Sequence, residues 1–277
     1  AAAGPQALCV QCNACATVCP AAIPLPRQIL AVRARVAANL GLPWPKRAAL
    51  AVWAGPRWFD LVLRLASVAQ RPWQRGRHLA LPLPAAWRWR TPPALATRPA
   101  RDRLLGRTFA GAADGPWAHS QVRGRLVAYF LQCLADRFAP EQVAAAVRVL
   151  HACGARVTVP RAQHCCGLPA LDAGDTVRAR QMAKQTIAAL EAAPADYVVT
   201  GAASCAVMLR HDLPHLLADE PAWHHRAERL AARTLDLLSF LDQVADPPAL
   251  PPVDGPPVTY HPFCQSTQVL GLGDTGA

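Results

Sequence analysis

Four cysteines in the stretch Cys9-Val-Gln-Cys12-Asn-Ala-Cys15-Ala-Thr-Val-Cys19-Pro20 constrain this chain more than any other feature. Thiols recurring at this interval cannot be packed as ordinary core, and they set several sulfurs on one tight loop whose exit Pro20 directs. The spacing C-x2-C-x2-C-x3-C-P is that of the thiolate run that wraps a [4Fe–4S] cube. Zinc is the main rival, because C-x2-C also nucleates zinc sites; no second C-x2-C or paired His follows within about the next hundred residues. A disulfide knuckle is the other alternative. In two-cluster ferredoxins the fourth cysteine of such a run ligates the other cluster. Cys9, Cys12 and Cys15 are therefore expected to share one cube, with Cys19 completing it only if no further motif lies upstream.

The chain has 277 residues, 52% of them apolar, which is enough for one large or two ordinary cores. Its ten cysteines are clustered rather than spread as a disulfide framework would be. Thiolates kept free for metal imply a reducing compartment, so the cytoplasm, or the inner face of its membrane, is expected. No charged segment followed by an apolar run marks a signal peptide. Both ends look cut, and a fragment of a longer protein is expected. The formal charge of +11 is unevenly held. Residues 1–107 carry 16 Arg and Lys against Asp60 and Asp102 alone, while the remainder is slightly acidic.

Beyond the cluster loop (1–24), a helical segment spans 25–71. Its helices are expected at Pro26–Gly41, with Ile29, Leu30, Val32, Val36 and Leu40 near one face, at Pro45–Ala54 and at Pro56–Gln70. In the last, Arg57, Asp60, Arg64, Ser67 and Arg71 form a polar stripe, while Trp58, Phe59, Leu61, Val62, Leu65 and Val68 cover much of the rest. Residues 72–124 read as a Pro-broken connector with Trp73, Trp87 and Trp89 set among arginines and Gly111, Gly115 and Gly124 near its end. Such an arm suits a membrane surface or an acidic partner, or simply wraps its own protein. Nothing in it resembles a nucleic-acid module, and nucleic acid is not an expected partner. From Arg125 the texture alternates. Strands are expected at 126–130, 155–160, 196–200 and 257–261, and helices at 140–153, 174–193, 204–209 and 223–244. The expected fold class is α/β, an open parallel sheet of Rossmann-like type over 125–250, with a second, truncated module beginning at 251–277.

In open parallel sheets ligands sit beyond the carboxyl ends of the strands, and the remaining cysteines fall there. Cys133 follows the first strand, Cys165 and Cys166 the second, Cys205 the third and Cys264 the fourth. Gly167 follows the pair where the backbone needs room or positive φ. Cys153 lies outside this scheme, on a helix, and is expected as a small buried apolar side chain. A redox-active dithiol at Cys165-Cys166 is the alternative to a metal-bound pair.

The segment Cys133…His164-Cys-Cys-Gly-Leu-Pro-Ala170…Ala203-Ser-Cys205 resembles the cysteine-rich CCG module. This module occurs in heterodisulfide reductases, in glycolate oxidase iron–sulfur proteins and in lactate-utilisation iron–sulfur proteins. Tyr260-His-Pro-Phe-Cys264 looks like the start of a second module. The resemblance implies a second iron–sulfur cluster on Cys133, Cys165, Cys166 and Cys205, while Cys264, also counted as cofactor-binding, opens the second module without companions in this chain. It implies an electron-transfer part of a lactate or glycolate oxidation system, working between a flavin domain or subunit and a quinone or other carrier. The FAD would lie on a missing domain or partner, since no G-x-G-x-x-G flavin or nicotinamide fingerprint is read here, and no catalytic residue is assigned. Two departures stand out. The heterodisulfide reductase form has C-x2-C where this chain has Cys205-Ala-Val-Met208, which weakens the alternative of disulfide reduction. Pro262 stands where relatives often carry Asp.

Overall fold

The computed structural model describes residues 4–82, 84, 89–114, 117, 120–246, 255–257, 259 and 261–272. A single turn of helix, α1 (Ala14–Thr17), lies inside the cysteine loop and is followed by α2 (Leu25–Leu40), α3 (Trp44–Ala54) and α4 (Pro56–Ala69). Each of these three helices carries Pro in its first turn, where the missing N–H breaks no helical hydrogen bond. Gly41 ends α2 at φ 73°, a conformation suited to glycine. All three helices match the sequence expectation, but the buried faces differ from it. On α2, Arg33 is buried and Leu40 is exposed. On α4, Phe59 is buried while Trp58, Leu61, Val62, Leu65 and Val68 face outward. Hydrophobic periodicity located the helix without telling which apolar side packs, because α4 is apolar on two sides.

The connector is more structured than its prolines suggest. It forms a hairpin of β1 (Gln74–Arg75) and β2 (His78–Leu79), a turn of helix α5 (Arg101–Leu104) and strand β3 (Thr108–Phe109). Trp87 and Gly115 lie outside the described residues.

The main sheet has the order β3-β5-β4-β6-β7, built from β3, β4 (Leu126–Phe130), β5 (Arg156–Thr158), β6 (Tyr197–Thr200) and β7 (Thr234–Asp236). β4, β5, β6 and β7 are mutually parallel, and β3 closes one edge antiparallel to β5. The crossover helices are α6 (Cys133–Phe138) with α7 (Pro140–Ala152), α8 (Leu168–Asp172) with α9 (Thr176–Glu191), and α10 (Ala203–Val207), α11 (Leu213–Leu216) and α12 (Pro221–Ala232). A wide π turn over Met208–Asp212 joins α10 to α11. Side chains alternate along β4. Ala128 and Phe130 enter the core under α9, α12 and the α3–α4 pair, whereas Val127, Tyr129 and Leu131 enter the core under α7. Cys153 is fully buried in the second core, as a small apolar side chain.

One expectation fails, and another lies partly outside the described residues. The helix expected over 223–244 is α12, strand β7, α13 (Leu237–Phe240) and a π turn to Ala245. Asp236 breaks it, because its carboxylate accepts from the N–H groups of Leu238 and Ser239 and so starts a new helix. Among the described residues the last parallel strand is β7, and the strand expected at 257–261 lies partly outside them. Residues 257, 259 and 261 are irregular, and Val258 and Tyr260 lie outside the described residues. Cys264 opens a short helix, α14 (Cys264–Gln268). The spacing Gly271-x-Gly273-x-x-Gly276 does occur in the sequence, but it follows α14 rather than a strand.

Candidate metal centre

Three strand ends deliver cysteines to one place. β4 runs through Leu131 and Gln132 into Cys133, the first residue of α6. The exit of β5 leads through Gln163 and His164 to Cys165, Cys166 and Gly167, and β6 leads through Gly201 and Ala202 to Cys205 on α10. The four thiols line one cavity of about 410 Å³, with Trp53, Gln132, Leu168 and Ser204 among its other walls. Cys133 Sγ and Cys165 Sγ are 3.6 Å apart, and Cys166 Sγ and Cys205 Sγ 3.8 Å. These are hydrogen-bonded thiols and not disulfides, whose sulfurs lie about 2.05 Å apart.

The loops holding them are tied together from below. The Gln163 side chain accepts from the Leu131 N–H at 2.7 Å and donates to the Tyr129 carbonyl at 3.1 Å, fastening the β5 exit to the end of β4. The Gln132 carboxamide turns its oxygen to the N–H groups of Gly201 and Ala202, the latter at 3.1 Å, fastening the β6 exit to Cys133. Thr186 Oγ1 donates to the Cys165 carbonyl at 3.1 Å. Gly167 sits at φ 94°, and a Cβ there would meet Met182 Cβ at 3.2 Å, so the Cys pair needs glycine behind it on both counts.

Burial and mutual contact raise the pKa values of Cys133, Cys165 and Cys166. Cys133 is raised well above the ordinary thiol range, first because it donates to Cys165 and then by burial; the Trp53 indole and the Leu134 N–H oppose this. For Cys165, the bond from Cys133 lowers the pKa, but the Cys166 thiol and burial prevail and raise it to about 12. Cys166 is likewise stabilised by Cys165, yet Cys205 and burial leave it well above its ordinary value. Multinuclear iron is a reasonable occupant of such a site. The donors are all soft thiols, and binding would release the protons they hold. Among the described residues, no three His, Cys, Asp or Glu side chains converge as they would on a single ion. A cluster of several atoms needs its thiolates spread around a larger body.

The Cys9–Cys19 loop stands beside this centre. Its four thiols are free and half-buried. Gln11 (φ 56°) and Asn13 (φ 62°) adopt left-handed backbone unusual for side-chain-bearing residues. The first of these turns lets the Gln11 N–H point at Cys9 Sγ, 3.4 Å away. An amide aimed at a thiolate is one of the levers that stabilise a bound cluster, so the loop fits such a group. Arg33 anchors the loop. It donates to the Gln6 side chain and carbonyl, to the Cys9 carbonyl at 2.8 Å, and from Nη1 to the Asp172 carbonyl at 2.7 Å. Gly174 (φ 81°) permits this approach, because a Cβ there would lie 2.6 Å from the Arg33 carbonyl oxygen.

Of the expected site residues, Cys133, Cys165, Cys166 and Cys205 come together, and Cys9, Cys12, Cys15 and Cys19 share the neighbouring loop. Cys264 is exposed and does not line the cavity, but α14 packs against both α10 and α1. Sequence reasoning assigned no role to Trp53, Gln132, Gln163, His164 or Arg33. Only His164 belongs to a recognised motif, and their parts emerge only when distant segments meet.

The sequence profile of the cysteine-rich CCG domain matches residues 127–210. Lactate utilization protein A of Exiguobacterium sp. is 38% identical over 146 residues, which cover 53% of this chain and 59% of that protein. The protein of the same name from Geobacillus kaustophilus is 40% identical over 148 residues, 53% and 61% of the two chains. That from Shouchella clausii is 40% identical over 144 residues, 52% and 59%. The matched part thus spans about three fifths of the length of these relatives. No solved structure gives a significant match. Residues 127–210, which hold Cys133, Cys165, Cys166 and Cys205, thus match the cysteine-rich CCG domain.

Proposed function

We propose that this chain is an iron–sulfur electron-transfer component of a lactate- or glycolate-oxidising system, taking electrons from a flavin and passing them to a quinone or another carrier. The observation that carries the reading is the convergence of Cys133, Cys165, Cys166 and Cys205 on one cavity, with the Cys9–Cys19 loop tied by Arg33 to the helix that follows the Cys pair. The names of the similar proteins point to lactate as the substrate of the larger system. A bound cluster would supply one-electron chemistry with little rearrangement, because its charge is delocalised.

The chain's own residues supply placement. Cys9, Cys12, Cys15 and Cys19 would hold a ferredoxin-type [4Fe–4S] group, and Cys133, Cys165, Cys166 and Cys205 a second. Arg33 keeps the first loop at a fixed position against the CCG domain, so the separation of the two sites is set by packing and not by a flexible tether. The substrate site and the FAD belong to a partner or a further domain. The basic, Trp-bearing connector is the part suited to meet an acidic flavin protein or an anionic membrane surface. Among the described residues no helix is long and apolar enough to cross a membrane. Disulfide reduction at the CCG site is the weaker reading. Met208 stands where a further thiolate would be needed, and it is buried against the Gly167 turn.

Anaerobic reconstitution with iron and sulfide tests this reading. The loaded chain should absorb broadly in the visible blue, become paramagnetic when reduced by a photoreduced free flavin, and be reoxidised by a quinone analogue. A colourless chain holding stoichiometric zinc would sink it.

A further inference from the structure

Trp53 lies far from every cysteine in sequence, at the end of α3, yet its side chain lines the cavity that Cys133, Cys165, Cys166 and Cys205 share. The indole Nε1–H is shut off from solvent and meets no acceptor in hydrogen-bond geometry. A buried N–H in that condition is rare and calls for an explanation such as a missing ion or ligand.

The residue is held in place from both sides of the site. Its carbonyl lies 2.6 Å from His164 Nε2, one residue before Cys165. A carbonyl oxygen only accepts, so Nε2 carries the proton of this bond and donates it to Trp53. Phe59 of α4 packs against both rings, at 5.3 Å from Trp53 and edge-on at 5.1 Å from His164. Fixing the main chain and ring of one tryptophan this firmly, while leaving its single donor without an acceptor, fits an acceptor that arrives with the bound group.

We propose that Trp53 is a positioning residue of the CCG site, whose indole N–H donates to the sulfur shell of the bound cluster and makes the site easier to reduce. This rests on the reading of the four cysteines as cluster ligands. A donor to a thiolate or sulfide stabilises the more negative, reduced state, so its removal moves the potential downward.

The test uses the full chain, reconstituted anaerobically, with the CCG signal identified as the one lost in Cys165→Ser. Trp53→Phe keeps an aromatic ring and removes the donor. The expected result is unchanged iron content, a more negative midpoint potential for the CCG signal and an unchanged potential for the loop signal. If Trp53→Phe does not fold, the unmutated chain grown with 15N-indole tryptophan gives a second readout, namely a nitrogen hyperfine coupling on the CCG signal alone. A loaded chain with unchanged potential, or without that coupling, overturns the proposal by itself. A chain that takes up no cluster at the four cysteines overturns it together with the reading beneath it.

Discussion

Arg33 donates to the carbonyl of Cys9 at 2.8 Å while its other terminal nitrogen holds the carbonyl of Asp172 at 2.7 Å. One buried guanidinium on α2 thus joins the first cysteine of the N-terminal loop to the helix that follows the CCG pair. Arg33→Ala would leave several buried carbonyls without donors and should cost about 2 kcal/mol or more in urea unfolding. It should also lower the iron retained by the loop more than that retained by the CCG site. Arg33→Lys should recover only part of this, since an ammonium cannot reproduce the planar fork. Equal stability and equal iron in Arg33→Ala would show that the tie is incidental.

Asp136 lies fully buried on the helix that begins with Cys133, between Arg101 and Arg137. It accepts from the Arg101 N–H at 2.7 Å and from Arg101 Nε at 2.5 Å, while Arg137 reaches on to Asp60 of α4. The network fixes α6 against both the connector and the helical segment. Asp136→Asn leaves two guanidinium groups without their shared carboxylate. It should destabilise the chain by about 3–5 kcal/mol in chemical denaturation; a change under about 1 kcal/mol would contradict the assignment.

Burial and the nearby Asp172 carboxylate, opposed by Arg27, raise the Asp212 carboxyl to about 7. The folded chain then keeps a proton that the unfolded chain releases above about pH 4. This group's contribution to stability is fully present at low pH and is lost as pH rises toward about 7, after which it stays flat. Asp212→Asn should therefore match the parent near pH 4 and exceed it by up to about 4 kcal/mol at pH 8. A thermal-melt series across that range checks the slope, and a parent and variant that remain parallel would refute it.

The CCG thiols of the metal-free folded chain should resist alkylation. Cys165 is raised to about 12, and Cys133 and Cys166 are also raised, so little of each is thiolate at neutral pH. Cys264 is exposed and the loop cysteines are half-buried. Iodoacetamide with peptide mapping should modify Cys264 and the loop first, with Cys133, Cys165 and Cys166 at least ~100-fold slower. Comparable rates would mean that the cavity is open and its thiols ionised.

The parts legible in the sequence were those with a repeat or a spacing. The cysteine run, the proline-started helices α2, α3 and α4, and three strands of the sheet each follow from a local pattern. So does the delivery of cysteines to the strand ends, which follows from parallel α/β topology. Strand β7 was hidden because Thr234-Leu-Asp236 is only three residues long and lies between two helical patterns; the Asp236 cap was the available signal. Strand β3 was hidden because it gains its partner, β5, only on folding. The burial of Arg33 and the approach of Trp53 to Cys133 depend on how α2 and α3 dock on a distant domain, which no local pattern encodes.

Separating the two cysteine sets spectroscopically tests the account most directly. The full chain is reconstituted anaerobically as the parent, as Cys12→Ser and as Cys165→Ser, and low-temperature paramagnetic resonance is recorded through a reductive titration. Two distinct iron–sulfur signals are predicted in the parent, with Cys12→Ser losing one and Cys165→Ser the other. A parent with no second signal, or a Cys165→Ser variant that retains both, would contradict the assignment of Cys133, Cys165, Cys166 and Cys205 as one cluster site.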